Sequence, residues 1–510
     1  MNRKMDWSVL LLFTALLFGA VVRFVPAASS GFPLNDGGMF YTMIRDLKAN
    51  HFILPHFTTY NFADIPFAYP PLGFYIAAIF SSLLPVSDLQ ILLWLPALVN
   101  TLSIFFFYKF AEQILPSRTS AALATLVYAL SSRAFLWQVM GGGITRAFGM
   151  LFLILMLGQA VQLFREYNHK RLALTILFGS LAALSHPQTA LHAALGGLII
   201  FLFFRQNKRG FISALLVGAG VLLLSSPWWG TALLRHGFEP LLSAAQSSPR
   251  TLESYLALLR FNNFLIPNLL LTLLGVWVVI RRREFFLVAW AALAYLIDPR
   301  GGAGMALLAE SLLAGMGLIQ LSAWISHSSS NQPEAALAKP ISQMLVFGSA
   351  FYFLLVAGVS DFQLINTSLK PADLEMIAWV NANVEDEKNF LLSTGREFSM
   401  SDPMQEWFPA LTKQHSVTTL QGLEWTLSDK FFPWYEQLVE FQHCADLACV
   451  TAWSATNNVD YDYWLVTIPP EEDQSEFGKS LRRLAISTRA SDSHRLVYES
   501  KTALVFQVKK

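Results

Sequence analysis

"WSVLLLFTALLFGAVVRFVPAASSGFPLNDGGMFY", residues 7–41, carries an apolar run straight into an acid on a glycine turn. About 20 apolar residues are enough for a helix to cross the ~30 Å hydrocarbon core of a bilayer. Arg3 and Lys4 precede the run as they would in a signal peptide. The run is long for a signal core and more like it follow, so it reads as a retained first helix. Asp36 then stands just outside a membrane segment, between Asn35 and two glycines.

The rest of the chain agrees with a membrane reading. Of 510 residues, 54% are hydrophobic and 14% charged, and the mean hydropathy is +0.44. That is too apolar for a soluble domain of this size. A net charge of +1 leaves no basis for nucleic-acid binding. Apolar runs recur at 7–26, 89–110, 119–133, 146–164, 171–187, 190–204, 211–227, 265–280, 285–297, 304–325 and 341–360. A shorter run, 72–84, is bracketed by Pro70, Pro71 and Pro85. The basic stretches "FREYNHKR" (164–171), "FRQNKRG" (204–210) and "RRRE" (281–284) should face the cytoplasm. They do so together only if 72–84 is re-entrant or interfacial, which suits a run of about 13 residues.

The expected fold is therefore a polytopic α-helical membrane protein of about eleven spans plus one re-entrant or interfacial helix. Its amino terminus is expected inside, at the cell (inner or plasma) membrane. Residues 1–360 form the bundle, with a long outer loop at 27–88. Residues 361–510 change composition and read as a soluble outer α/β domain, large enough to bury its own core. There "PADLEMIAWVNANV" reads as a helix, and "NFLLST", "SVTTL" and "YWLVTI" as strands. "RLVYESKTALVFQV" reads as a closing hairpin with "ESK" at its turn. Cys444 and Cys449 are either a disulfide or two free buried thiols, and an oxidising outer location favours the disulfide.

Chemistry concentrates in the outer loops. Loops longer than about 15 residues are usually functional, and 27–88 holds Asp36, Asp64 and Tyr69 in "PFAYPPLGFY". Asp36 precedes a helix expected from residue 39, so it is either that helix's cap or a working acid. In the second outer loop, Gly141, Gly142 and Gly143 precede a helix start, where backbone N–H groups can hold phosphate. Arg133 and Arg146 flank them; the alternatives are phosphate pairing or snorkelling to the interface. His186 and Gln188 in "LSHPQTALH" are polar groups at a break between apolar helices, fit for a site or for a helix–helix contact. Asp298 and Arg300 in "LIDPRGGAG" either pair with each other or leave Arg300 to a lipid phosphate. Glu424 and Trp425 either line a sugar site or belong to the tail's core and docking surface. No metal-ligand spacing is diagnostic; a divalent metal is possible but not indicated.

The quoted stretches "DGGMFY", "PFAYPPLGFY", "SHPQTAL" and "EWFPALTKQHSVTTLQGLEW" resemble those of a bacterial and archaeal branch of predicted integral membrane proteins. A first span, an acid in a long outer loop, "YPPL" opening an apolar helix, a bundle and an outer α/β tail together resemble the GT-C class of membrane glycosyltransferases. That class includes the protein O-mannosyltransferase and aminoarabinose-transferase types. The resemblance implies transfer of a sugar from a polyprenyl-phosphate carrier to an outer-face acceptor (glycan, lipid or protein), with Asp36 as general base. Arg133, Arg146, Arg300 and the glycines 141–143 would then serve the donor phosphate. Asp64, Tyr69, His186, Gln188, Asp298, Glu424 and Trp425 would face substrate. The sequence departs from the class in the second outer loop, where Arg146 stands about where a second acid is expected. Asp64 or Asp298 could substitute for it. Two other functions fit the composition: a non-catalytic membrane assembly or anchoring protein, and a transporter or flippase of lipid-linked solutes. The latter predicts mid-membrane charges and inverted repeats, and neither is visible in the sequence.

Overall fold

The computed structural model describes residues 6–247, 266–299, 301–329, 333–396 and 399–509. Every expected span coincides with a helix among these residues. Seven are long and apolar enough to cross a membrane: Trp7–Ser30, Asp88–Ile114, Gly143–Arg165, Pro187–Phe204, Lys208–His236, Gly302–Ile325 and Pro340–Ile365. An eighth would be a bent pair, Arg118–Leu130 with Ser132–Val139, turned by 79°. His169–Ser185, Ile266–Arg281 and Phe286–Ile297 are shorter. This is a multi-pass membrane protein. The Leu72–Leu83 helix and the Phe286–Ile297 helix, expected as a span, each have 12 residues and reach about 18 Å, too short to cross alone.

Local signals place the helix ends. Asp6 accepts from Ser8 N to open the first helix, and Gly31 closes it at φ 68°. Ser87 and Gln90 form a reciprocal capping box at Asp88–Ile114. Burial then sorts the helices by neighbour. The Gly302–Ile325 window is 83% buried and runs through the bundle, whereas the Lys208–His236 and Pro340–Ile365 windows are each 22% buried and face lipid.

The break after Leu130 frees backbone carbonyls inside an apolar bundle, where each must find a donor. Arg23, fully buried on the first helix, donates to Ala129 O (2.7 Å), to Gly19 O (2.8 Å) and to the Asn100 side chain. Asn100 donates to Ala134 O at 3.2 Å. Two polar side chains thus satisfy carbonyls on both sides of the bend. The bend carries the chain toward the glycines 141–143.

The tail forms a five-stranded sheet in the order β2 (His415–Ser416), β1 (Asn389–Ser393), β3 (Tyr463–Thr467), β5 (Ala503–Val508), β4 (His494–Glu499). β1 is parallel to β2 and β3; β5 is antiparallel to β3 and β4. The expected strand at "SVTTL" is corrected: only Ser416 of it pairs. Asn61, from the long loop between the first helix and Leu72–Leu83, brackets Ser416, donating to its carbonyl (2.9 Å) and accepting from its N–H (2.7 Å). It takes the place of a further strand and ends the sheet. Thr418 and Thr419 turn away to bond Gln405. Cys444 and Cys449 form a disulfide.

Strand alternation gives the sheet two different faces. Leu391, Trp464, Val466, Leu504 and Phe506 pack with the tail's own helices around Phe431, Trp453 and Leu484. Phe390, Leu392, Leu465 and Val505 join a core with Trp407, Phe408, Met39, Phe40, Tyr60 and Phe74. The long loop that follows the first helix therefore completes one side of the tail domain.

Candidate active site

Asp36 is not the cap of the helix it precedes. Gly38–Ala49 begins behind Gly37, which has φ 123° and no side chain to cap with. Its orphan N–H groups must be met from elsewhere. Glu406, on the tail helix Pro403–Leu411, accepts from Gly37 N and Met39 N through one carboxyl oxygen, each at 3.1 Å. The same segment holds the loop at two more points. Trp407 Nε1 donates to Asn35 O at 2.9 Å, and Tyr60 OH donates to Glu406 O at 2.7 Å. A side chain at Gly38 would collide with the Glu406 carbonyl.

Freed from capping, the Asp36 carboxylate turns to the loop that carries Gly141, Gly142 and Gly143. Gly142 N donates to Asp36 Oδ1 at 2.9 Å, and Arg146 Nη2 pairs with Asp36 Oδ2. Arg146 also donates to Trp137 O at 2.7 Å and lies over the Trp137 ring, 5.3 Å from its centre. The glycines allow this approach. A Cβ at Gly142 would meet the Asp36 carboxylate and Arg146, and one at Gly141 would collide with Asp36 O. The expectation of a three-glycine phosphate cradle narrows accordingly. Gly141 N is spent on Leu34 O and Gly143 N on Met140 O. Gly142 N–H alone is held by a side chain that can move.

Around this pair the four motifs meet. Tyr69 of "PFAYPPLGFY" packs its ring on Phe40 (4.8 Å), Trp425 (5.8 Å), Phe74 (5.9 Å) and His186 (6.1 Å), and its hydroxyl faces Thr145 Oγ1 at 3.5 Å. Burial pushes the Tyr69 phenol up to about 12. Trp425 is buried, and its indole N–H has no hydrogen-bond partner among the described residues. Glu424 accepts from Gly422 N at 2.7 Å. His186 caps the Pro187–Phe204 helix by accepting from Gln188 N at 3.2 Å. Gln188 donates to Asp298 Oδ2 (2.6 Å), which His192 Nε2 also reaches (3.2 Å), and Gly301 N meets Asp298 Oδ1.

Three candidates stand apart. Arg133 lies on the turn before the glycines, where Glu310 (3.4 Å) and Tyr295 (3.2 Å) hold its guanidinium. Asp64 is exposed at φ 48°. Arg300 falls outside the described residues. Among those residues no three His, Cys, Asp or Glu gather as metal ligands would.

Glu406 was not singled out in the sequence. It is buried, and desolvation, with repulsion from Asp36, raises its carboxyl from the ordinary 4.5 to about 8, against the pull of the two N–H donors. The available signal was an acid set in the apolar run "EWFPAL"; its partner lies 369 positions away.

Comparison with solved structures gives the architecture a name. The chain superposes on the oligosaccharyltransferase AglB from Archaeoglobus fulgidus, in complex with an inhibitory peptide and a dolichol-phosphate, with TM-score 0.56 and 13% identity, over 91% of this chain and 70% of that one. It superposes on ArnT from Cupriavidus metallidurans, bound to undecaprenyl phosphate, with TM-score 0.57 and 14% identity, over 98% and 97% of the two chains. The fold is that of the GT-C glycosyltransferases. The arabinofuranosyltransferase AftD from Mycobacteria matches with TM-score 0.55 and 15% identity, over 97% of this chain and 40% of that one. Residues 68–230 match the dolichyl-phosphate-mannose-protein mannosyltransferase family. No curated protein matches the chain in sequence. The matched segment includes Tyr69, the glycines 141–143, Arg146 and His186.

Proposed function

We propose that this chain is a membrane glycosyltransferase that moves a sugar from a polyprenyl-phosphate carrier to an acceptor hydroxyl, with Asp36 as general base. The observation that carries the reading is Asp36 held between Gly142 N–H and Arg146 at the start of a membrane helix. A cation and an N–H donor already arranged around one anion are arranged for another. The undecaprenyl phosphate of ArnT and the dolichol-phosphate of AglB are anions of the chemistry that fits.

The ion pair orders the steps. The donor phosphate competes with Asp36 for Arg146 and Gly142 N–H. Once displaced, the carboxylate is available to an acceptor. The acceptor oxygen attacks the anomeric carbon, its proton passes to Asp36, and the bond from that carbon to the phosphate oxygen breaks. The phosphate leaves on its polyprenyl chain with its charge on Arg146. Tyr69 and Trp425 form the aromatic wall beside the pair, and the unpartnered Trp425 N–H is a donor for the sugar or its phosphate. His186, Gln188 and Asp298 close the neighbouring side. Glu406 positions Asp36 by holding the helix that follows it.

The site and the tail, residues 361–510, lie on the outer face, with the amino terminus in the cytoplasm and residues 1–360 as the catalytic bundle. The basic ends at 164–171 and 204–210 support this orientation. The test uses purified protein and undecaprenyl phosphate. In Asp36→Asn, sugar transfer in membranes is lost, while undecaprenyl phosphate binds more tightly because its competitor for Arg146 has gone. Full transfer by this variant would remove Asp36 from the mechanism.

A further inference from the structure

At the far end of the Gly143–Arg165 helix, about 35 Å from the Asp36 end at 1.5 Å per residue, an open groove of about 430 Å³ lies between Tyr167 and the first turns of the Lys208–His236 helix. It is lined by Tyr167, Lys208, Arg209, Ile212, Ser213 and Leu216. The Lys208–His236 helix, which faces lipid along most of its length, begins here. Residues 208, 212 and 216 recur every four positions and share one helix face. The lining is therefore graded along that face, from cationic at the membrane surface to apolar below. Ile212 and Leu216 are each 46% exposed.

The charge here is unbalanced. Residues 164–171 and 204–210 carry Arg165, Lys170, Arg171, Arg205, Lys208 and Arg209 against one acid, Glu166. Glu166 pairs with Arg171. Lys208 and Arg209 are exposed and have no carboxylate partner among the described residues. The Arg209 guanidinium stands 5.9 Å from the centre of the Tyr167 ring, at the mouth of the groove.

We propose that this groove binds an anionic glycerophospholipid, with its headgroup phosphate on Lys208 and Arg209 and one acyl chain along Ile212 and Leu216. A phosphate answers the unpaired cations, and a chain covers apolar side chains that continue the lipid-facing surface. A free phosphate would satisfy the cations alone and leave the apolar part of the groove uncovered.

The test is native mass spectrometry of the full chain released from bilayer discs of mixed phosphatidylcholine and phosphatidylglycerol. Wild type retains phosphatidylglycerol selectively. Lys208→Ala and Arg209→Ala each reduce that retention about fivefold, with an unchanged melting temperature. Removal of equal charge elsewhere, at Arg282 and Arg283, leaves retention as in wild type. Ile212→Asn weakens phosphatidylglycerol retention and leaves any binding of inorganic phosphate untouched. Equal retention of the two lipids, or equal loss in the Arg282 and Arg283 variants, overturns the proposal. Release of bound lipid by millimolar inorganic phosphate would assign the cations to a free anion and overturn it too.

Discussion

The two ends of the Gly143–Arg165 helix treat positive charge in opposite ways. At its start Arg146 is largely enclosed, its side chain 18% exposed, with both arms and its face committed to Asp36, Trp137 O and the Trp137 ring. Past its end Lys208 and Arg209 stand exposed without a carboxylate partner among the described residues. Desolvation explains the difference. A charge withdrawn from water must be paired and hydrogen-bonded, whereas one at a surface is held by water and counter-ions. The enclosed cation is thus committed until a competing anion arrives, and the exposed ones remain available.

Breaking the enclosed end should have the larger consequences. Asp36→Asn is expected to lower transfer by about 100-fold or more, the usual worth of a positioned base. Initial rates in membranes check this, and undecaprenyl phosphate affinity should rise in the same protein. Arg146→Ala leaves the Asp36 carboxylate without its cation and should destabilise the protein by about 2 kcal/mol. Thermal unfolding in detergent measures that loss, and adding Asp36→Asn to Arg146→Ala should recover part of it.

Glu406 sharpens the comparison, because it is a buried acid with no ion-pair partner among the described residues. Its native carboxyl is raised to about 8, so the folded state keeps a proton that the unfolded chain gives up near 4.3. The stability this supplies is full below about pH 4 and is lost as pH rises through about 8. The melting temperature of wild type should therefore fall across that window relative to Glu406→Gln, which does not titrate and still accepts from Gly37 and Met39. Glu406→Ala loses the cap itself, about 1 kcal/mol or more at any pH. A flat wild-type profile would remove the buried acid from the account. The smallest effect belongs to an exposed pair such as Lys413–Asp386, with side chains 71% and 57% exposed. Lys413→Ala should leave the melting temperature unchanged within error.

Much of this was legible in the residues. Apolar run lengths located the helices, because a bilayer demands about 20 residues per crossing and makes the backbone bond to itself. Pro70, Pro71 and Pro85 bounded a helix too short to span. Strand alternation located β1, β3, β4 and β5. "SVTTL" misled, since its β-branched residues suit a strand but Asn61 occupies the edge where a neighbour would pair. Arg133 and Arg146 looked equivalent in sequence, eight residues from the first glycine and three from the last. A 79° bend gives the first to Glu310 and the second to Asp36.

By itself, then, the sequence determined which segments form apolar helices and that an acid on a glycine turn follows the first of them. Both follow from local rules of hydrophobicity and turn chemistry. Only the tertiary structure decided what that acid contacts. The N–H groups behind Gly37 had to be capped by some acceptor, and a local reading offers Asp36 for the task. The fold supplies Glu406 from the distant tail instead. Because a cap needs only an acceptor within hydrogen-bond reach, however remote in sequence, local pattern leaves its supplier open, and with it the freedom of Asp36 to meet Arg146.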